Sequence, residues 1–262
     1  MAKLSLSKAW DETRGVLGRD GKLIGAVALA LFYLPGVIAG VIQPDSEGVP
    51  ATTSALVTML VIAIIGLAGQ LAIIRLALGN HGTVGEAIRH GAVRTPVYLA
   101  SGLIWVFPFA VLFYSVSRGL FERPPNVTPG QSLATLVLLI ALIFLSVRLM
   151  MSSAVASAEH AGPIGILRRS WELTRGHWWR MFAFLAGFVF VALVGLSAVG
   201  AIAGIVGALL FGEAHPMTVA ALFNSLLVEL VTTLVTVGFL VMLARIYAQL
   251  ALPAASVPSS GT

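Results

Sequence analysis

Residues 162–179 read GPIGILRRSWELTRGHWW, a basic, tryptophan-bearing stretch that runs straight into a long apolar segment. Its core, Trp171-Glu-Leu-Thr-Arg-Gly176, recurs near the N-terminus as Trp10-Asp-Glu-Thr-Arg-Gly15, and each copy stands just before a hydrophobic run. A fainter third copy, GTVGEAIRHG over residues 82–91, aligns Gly82 with Gly162, Val84 with Ile164, Gly85 with Gly165 and Arg89 with Arg169, with Gly91 in the tryptophan position. The chain therefore reads as one membrane domain over residues 1–251, built from three repeats near 1–81, 82–161 and 162–251. A Pro/Ser-rich tail over residues 252–262 is expected to be disordered.

Composition sets the class. Of 262 residues, 58% are hydrophobic and 10% charged, whereas a soluble domain carries about 25% charged residues. An integral membrane protein is expected. No cysteine is present, which excludes disulfides, thiolate metal sites and cysteine nucleophiles. The net charge of +5 does not mark a nucleic-acid partner, because the cations are confined to segments flanking the apolar runs and often stand near tryptophan. That pattern suits a surface set against anionic lipid.

The fold expected is all-α: six transmembrane helices in three repeats, each repeat preceded by a basic interfacial helix. Leu6, Trp10, Thr13 and Leu17 fall at helical steps after the candidate cap Ser5, giving an amphipathic helix over residues 6–19. Ile164, Leu167, Trp171, Thr174 and Trp178 make the same stripe in the third repeat. Thr83-x-x-Glu86 has capping-box spacing and opens the second. The spans are expected near residues 23–42, 55–78, 97–117, 133–153, 181–211 and 217–243. The first carries Pro35 and a Gly36-x-x-x-Gly40 face, and the fifth has small residues at Gly200, Gly204, Ala208 and Gly212.

Of the 16 lysines and arginines, only Arg118 and Arg123 fall in the loops opposite the N-terminus, which leaves 14 on its side. By the positive-inside rule both termini are cytoplasmic. Each repeat then runs outward, turns, and returns to an arginine: Arg75, Arg148 and Arg245.

Candidate sites emerge from these positions. Lys8, Trp10, Arg14, Arg89, Arg94, Arg168, Arg169, Trp171 and Arg175 are the expected lipid-headgroup residues, with anionic phospholipid as partner. Arg75, Arg148, Arg245 and Glu229 are the intramembrane polar residues, which are costly unless they snorkel, pair or line a wet cavity. Glu229 falls mid-span among Asn224, Ser225, Thr232 and Thr233, where a buried hydrogen bond and a proton or substrate role are both open. The five histidines are scattered without metal-ligand spacing, and no G-x-S-x-G, Walker A or G-x-G-x-x-G pattern is present. No catalytic residue, metal or cofactor is expected.

The segments RRSWELTRGHWWRMFAFL (168–185), SLSKAWDETRGVLGRDGKLI (5–24) and LARIYAQL (243–250) resemble the glycerophosphoryl diester phosphodiesterase membrane-domain family. The resemblance implies a multi-pass protein of a bacterial inner membrane, whose relatives are sometimes fused to a soluble phosphodiesterase barrel. These 262 residues hold neither that barrel nor its His-Arg-Gly segment, and Arg175-Gly-His177 has the wrong order. The function expected is therefore non-catalytic: a lipid-associated scaffold or a membrane partner of an envelope enzyme. A transporter or channel using Glu229 and the arginines is the alternative, and an independent phosphodiesterase stands third.

Overall fold

A computed structural model describes residues 4–42, 53–79, 82–120, 122, 128–212 and 214–251. Most of the first outer turn, Arg123 of the second, and the tail from residue 252 lie outside them. The described residues are helical, without a strand: α1 (Leu6–Ala28), a π-helical turn (Leu29–Tyr33), α2 (Leu34–Ile42), α3 (Thr53–Ala77), α4 (Val84–Ser117), a 3-10 turn (Arg118–Leu120), α5 (Pro129–Leu149), α6 (Ser152–Ala158), α7 (Pro163–Thr174), α8 (Trp178–Phe211) and α9 (Val219–Ala251). Six of these helical stretches are long and apolar enough to cross a membrane.

The helix starts obey capping chemistry. Ser5 accepts the Lys8 N–H at 3.3 Å. Thr83 and Glu86 form the full capping box, with bonds of 3.2 Å and 3.1 Å. A second box, Thr128 with Gln131, opens α5 behind Pro129 at the first helical position. The π-helical turn ends two residues before Pro35, whose ring would meet the carbonyl of Leu31 in an ordinary α-helix and whose nitrogen has no hydrogen to donate.

Two boundaries differ from expectation. The segment over residues 6–19 is not a separate interfacial helix, because α1 runs unbroken into the first apolar stretch from Leu6 to Ile42. The second basic segment is likewise continuous with its apolar stretch in α4, Val84–Ser117. No proline or positive-φ residue interrupts residues 15–24, and Asp20, nearly buried, is neutralised by Arg19 at 2.9 Å. In α4, Pro96 and Pro108 are both accommodated inside the helix.

Only the third segment breaks away. Gly176 takes φ +87° between α7 and α8, a conformation that L side chains rarely adopt. The same W-x-x-T-R-G hexapeptide thus continues as helix at Gly15 and reverses at Gly176. The two copies diverge beyond that glycine, for after Gly176 Trp178 stacks on Phe182 at 5.1 Å and on Phe144 at 5.7 Å.

Of the two stripes read in the sequence, Thr13 and Thr174 are buried, and the rest of each packed face is made by other residues. In α1 up to residue 20 the buried residues are Ala9, Thr13, Val16 and Asp20, while Trp10 is 53% exposed. In α7 they are Ile166, Ser170, Leu173 and Thr174, while Trp171 is 40% exposed. The two tryptophans turn outward.

The core sits at one end of the bundle. It joins Val16 and Ile24 of α1, Leu71 to Ala77 of α3, Ala87 of α4, Val147 of α5, Ala154 to Ala156 of α6, Ile166 of α7 and Leu240 to Ile246 of α9. The 18-residue apolar windows of α4 and α8 are by contrast only 6% buried. Helix α9 is the central element, packed against α1, α2, α3 and α8.

Gly91 of α4 lies on the backbone of α3, where an added Cβ would strike the Ala68 carbonyl and stand 3.3 Å from the Ala72 nitrogen. The contact leaves no room for a side chain at this position. In α8 the expected stripe is not the contact face: Gly200 and Gly204 meet nothing within 4 Å, whereas Gly207 faces Asn224 of α9.

Candidate functional site

The polar chemistry gathers at the same end as the core. Arg75, near the end of α3, places Nη1 2.6 Å from Nδ1 of His90 in α4. Nε2 of His90 lies 2.9 Å from the Ser157 carbonyl. A carbonyl only accepts and a guanidinium only donates, so His90 is held as the neutral tautomer with hydrogen on Nε2. Arg148, near the end of α5, lies over the rings of Trp171 at 5.0 Å and Phe144 at 5.3 Å. Arg245, late in α9, donates from Nε to Glu12 of α1 at 3.0 Å. Contact thus passes from each repeat as read in the sequence to the next, and from the third back to the first.

Arg94 is engaged inward. Its guanidinium donates to the carbonyls of Ala156 at 2.9 Å, Glu159 at 2.6 Å and Ala161 at 3.1 Å. These oxygens belong to the C-terminal end of α6 and the chain just beyond it, where helical partners run out. Arg169 pairs with Glu159 at 3.1 Å, and that hydrogen bond raises the already high pKa of the guanidinium. The Tyr247 hydroxyl donates to the same carboxylate at 2.7 Å, and Arg180 donates to the Leu4 carbonyl at 2.7 Å. Two of the nine expected headgroup residues, Arg94 and Arg169, therefore also tie elements together.

The others face outward. Lys8, Trp10 and Arg14 on α1, Arg89 on α4, and Arg168, Trp171 and Arg175 on or beside α7 are exposed. Arg168 pairs with Glu172 at 3.1 Å across one exposed turn, and Lys8 with Glu12 at 3.9 Å. Exposed i,i+4 pairs of this kind hold a side chain loosely and are worth well under about 1 kcal/mol. They leave both cations available. Trp179, packed edge-on against Trp178 and Phe182, is also 73% exposed.

Glu229 stands apart from the three arginines. It precedes Arg245 by 16 residues on α9, about 24 Å along the helix axis. Its carboxyl group sits on Gly36 of α2, and Ser225 sits on Gly40, where an added Cβ would come within 2.5 Å of the Ser225 hydroxyl. The Gly36-x-x-x-Gly40 face therefore seats two polar side chains of α9. An open groove of about 380 Å³ runs along this contact, bounded by Ala39, Asn224 and Val228 as well. Glu229 is partly exposed in it, short of the full burial that its mid-helix position suggested.

A second cavity, about 440 Å³, lies among α3, α4, α5, α6 and α9. Gln70, Tyr98, Ser152 and Ser153 line its polar side, with the Tyr98 hydroxyl in hydrogen-bonding reach of the other three. Leu103 and Trp105 are among its apolar walls. Gln70 and Tyr98 are visible singly in the sequence, but the meeting of these helices is not legible there. Among the described residues no three histidine, aspartate or glutamate side chains come together as a metal site would require.

No curated protein and no solved structure matches this chain. One family model does, over residues 4–250, which takes in all of α1 to α9 except the last residue of α9. The chain belongs to that family, described as a domain of unknown function, DUF7847.

Proposed function

We propose that the protein is a non-catalytic, lipid-associated scaffold, or the membrane partner of an envelope enzyme, in a bacterial inner membrane with both termini cytoplasmic. The observation that carries this reading is the matched presentation of the two W-x-x-T-R-G copies. In each, the threonine is buried, Thr13 at 1% and Thr174 at 0% exposure, while the tryptophan and the arginine face outward. The threonine packs into the bundle, and the tryptophan and guanidinium are offered together to whatever lies outside. An indole settles at headgroup depth and an arginine at that depth meets phosphate. The likeness to glycerophosphoryl diester phosphodiesterase membrane domains belongs to this proposal, since the same helices carry it.

Lys8, Arg14, Arg89, Arg168 and Arg175 are the exposed cations of the proposed collar. Each is worth about 1 kcal/mol near an anionic leaflet, reduced by salt. Native mass spectrometry of the purified protein should show several phosphatidylglycerol or cardiolipin molecules retained. The double variant Arg14→Gln, Arg175→Gln should retain fewer, with the difference shrinking in high salt. Equal retention by a folded variant would contradict the collar.

The alternative reading, a transporter or channel, is favoured by one observation, the Glu229 carboxyl seated in the groove between α2 and α9. Ion flux across proteoliposomes that Glu229→Gln abolishes is the result that would support it over the scaffold.

A further inference from the structure

The cavity of about 440 Å³ among α3, α4, α5, α6 and α9 takes no part in the collar, and its lining is polar at one end only. There Gln70, Tyr98, Ser152 and Ser153 converge, with the Tyr98 hydroxyl within hydrogen-bonding reach of the other three. Tyr98 follows Arg94 by four residues, about 6 Å along α4, and Gln70 precedes Arg75 by five, about 7.5 Å along α3. The polar end thus lies roughly one helical turn inside the level of those arginines. Gly102, Trp105 and Val106 carry the cavity along α4 to about 12 Å beyond Tyr98, between apolar walls that include Phe239 of α9.

The cavity is open on its flank. Leu99, Leu103 and Val106 line it at steps of four and three along α4, and all three are exposed, so they edge a mouth on the apolar side of the bundle. Leu149, Ser153 and Leu243 are buried and close it inward. Gly102 fronts the space without a side chain, and a Cβ added there meets nothing within 4 Å. No neighbouring helix fills the room at that position.

Among the described residues that line the cavity none carries a charge. An ionised head entering it would lose its hydration and meet no counter-ion, which disfavours a fatty-acid anion or a phosphate. The Tyr98 hydroxyl has one hydrogen and cannot donate to all three neighbours at once, whereas the Gln70 amide and the two serine hydroxyls both donate and accept. A ligand hydroxyl does the same, and an ester oxygen only accepts. We infer that this cavity binds an uncharged lipid bearing a free hydroxyl, with Gln70, Tyr98, Ser152 and Ser153 holding the head and the chain running past Gly102 to the mouth at Leu103 and Val106. Its volume falls within the roughly 300–1,000 Å³ of small-molecule sites. The site goes beyond the headgroup collar, for its ligand is neutral and sits inside the bundle.

The purified full chain, delipidated in detergent, would be titrated with oleyl alcohol, methyl oleate, 1-octadecene and, at pH 9, oleate, with bound mass followed by native mass spectrometry. One equivalent of oleyl alcohol should bind saturably, and each of the other three should bind about fivefold or more weakly. Tyr98→Phe should weaken the alcohol about fivefold and leave octadecene unchanged, as expected for loss of one hydrogen bond. Gly102→Leu should abolish the saturable equivalent without loss of stability, because its side chain enters the open space. Phosphatidylglycerol should not displace the alcohol, and Arg14→Gln with Arg175→Gln should leave it bound.

A Gly102→Leu protein that melts like wild type and binds the alcohol with unchanged affinity would overturn the site. If that variant does not fold, Tyr98→Phe decides, and unchanged affinity for the alcohol there overturns the site as well. So does the absence of a saturable equivalent in the wild type, or an alcohol that binds no better than octadecene, methyl oleate or oleate. Displacement of the alcohol by phosphatidylglycerol would show that it occupies the collar instead, and would equally overturn the cavity site.

Discussion

Replacing Gly91 by alanine should destabilise the protein by about 1–3 kcal/mol, the usual cost of overpacking a close contact. The added methyl falls on the Ala68 carbonyl of α3 and next to the Ala72 nitrogen. Both are helix backbone, which cannot swing aside as a side chain would, so α3 and α4 must separate along their whole contact. Gly91→Trp restores the residue found in the other two copies and should prevent folding outright. Gly85→Ala is the internal control, because it lies on the same helix with nothing within 4 Å of its added Cβ. Removing a glycine from an open helical position favours the helix by roughly 0.5–1 kcal/mol. Thermal unfolding in detergent should therefore move in opposite directions for the two alanine variants. An unshifted midpoint for Gly91→Ala would mean that α3 and α4 do not approach as described.

Arg94→Met should cost about 3 kcal/mol, comparable to leaving buried partners of a charged group unsatisfied. Methionine keeps much of the apolar stem and removes all three bonds to the carbonyls of Ala156, Glu159 and Ala161. Arg94→Lys should recover only part of the loss, since an ammonium on a flexible stem cannot reproduce a planar fork spanning three oxygens. Limited proteolysis should open the chain between α6 and α7 in the methionine variant before the rest of the bundle yields. Arg89, five residues earlier and exposed, sets the comparison. Arg89→Met should change stability by no more than about 0.5 kcal/mol, and its effect should be confined to lipid retention. Equal melting of Arg94→Met and wild type would show that the three bonds contribute nothing.

These two positions show what the sequence can and cannot disclose. Six apolar helices and the cap at Thr83 are legible in it, because hydropathy and capping are local properties. The Thr128 box is equally local, stated plainly by T-P-G-Q, though the reading of the outer loop passes over it. The continuity of α1 and α4 is not legible: a change from amphipathic to apolar composition looks like a boundary, yet a helix needs a breaker to end, and residues 15–24 contain none strong enough. Trp10 and Trp171 read as outward residues in the sequence and both are exposed, but Ala9 and Ser170, which pack into the bundle, belong to neither stripe and carry no local mark of burial.

The roles of the cations are the least legible feature. Arg89 and Arg94 look alike on paper, and only the position of α6 assigns one to the surface and the other to carbonyl oxygens. Arg75, Arg148 and Arg245 read as three equivalent anchors, yet they find an imidazole, two aromatic rings and a carboxylate. Glu229 reads as a mid-span residue set apart from those arginines, but what it packs against does not show in the sequence. Its actual seat, the glycine face of α2, is a long-range contact that no local pattern announces.

The arrangement of the bundle across a membrane is the claim on which the rest depends, and the chain, having no cysteine of its own, lends itself to a direct measurement. Met217 is 76% exposed and bonds through its N–H to the Val41 carbonyl, at the end of the bundle opposite the collar. Single cysteines would be placed there and at the exposed positions Arg14 and Arg89, and intact cells treated with a membrane-impermeant maleimide. Met217→Cys should label at once, and Arg14→Cys and Arg89→Cys only after the membrane is permeabilised. Labelling of all three from the outside, or of the two arginine positions alone, would contradict the account.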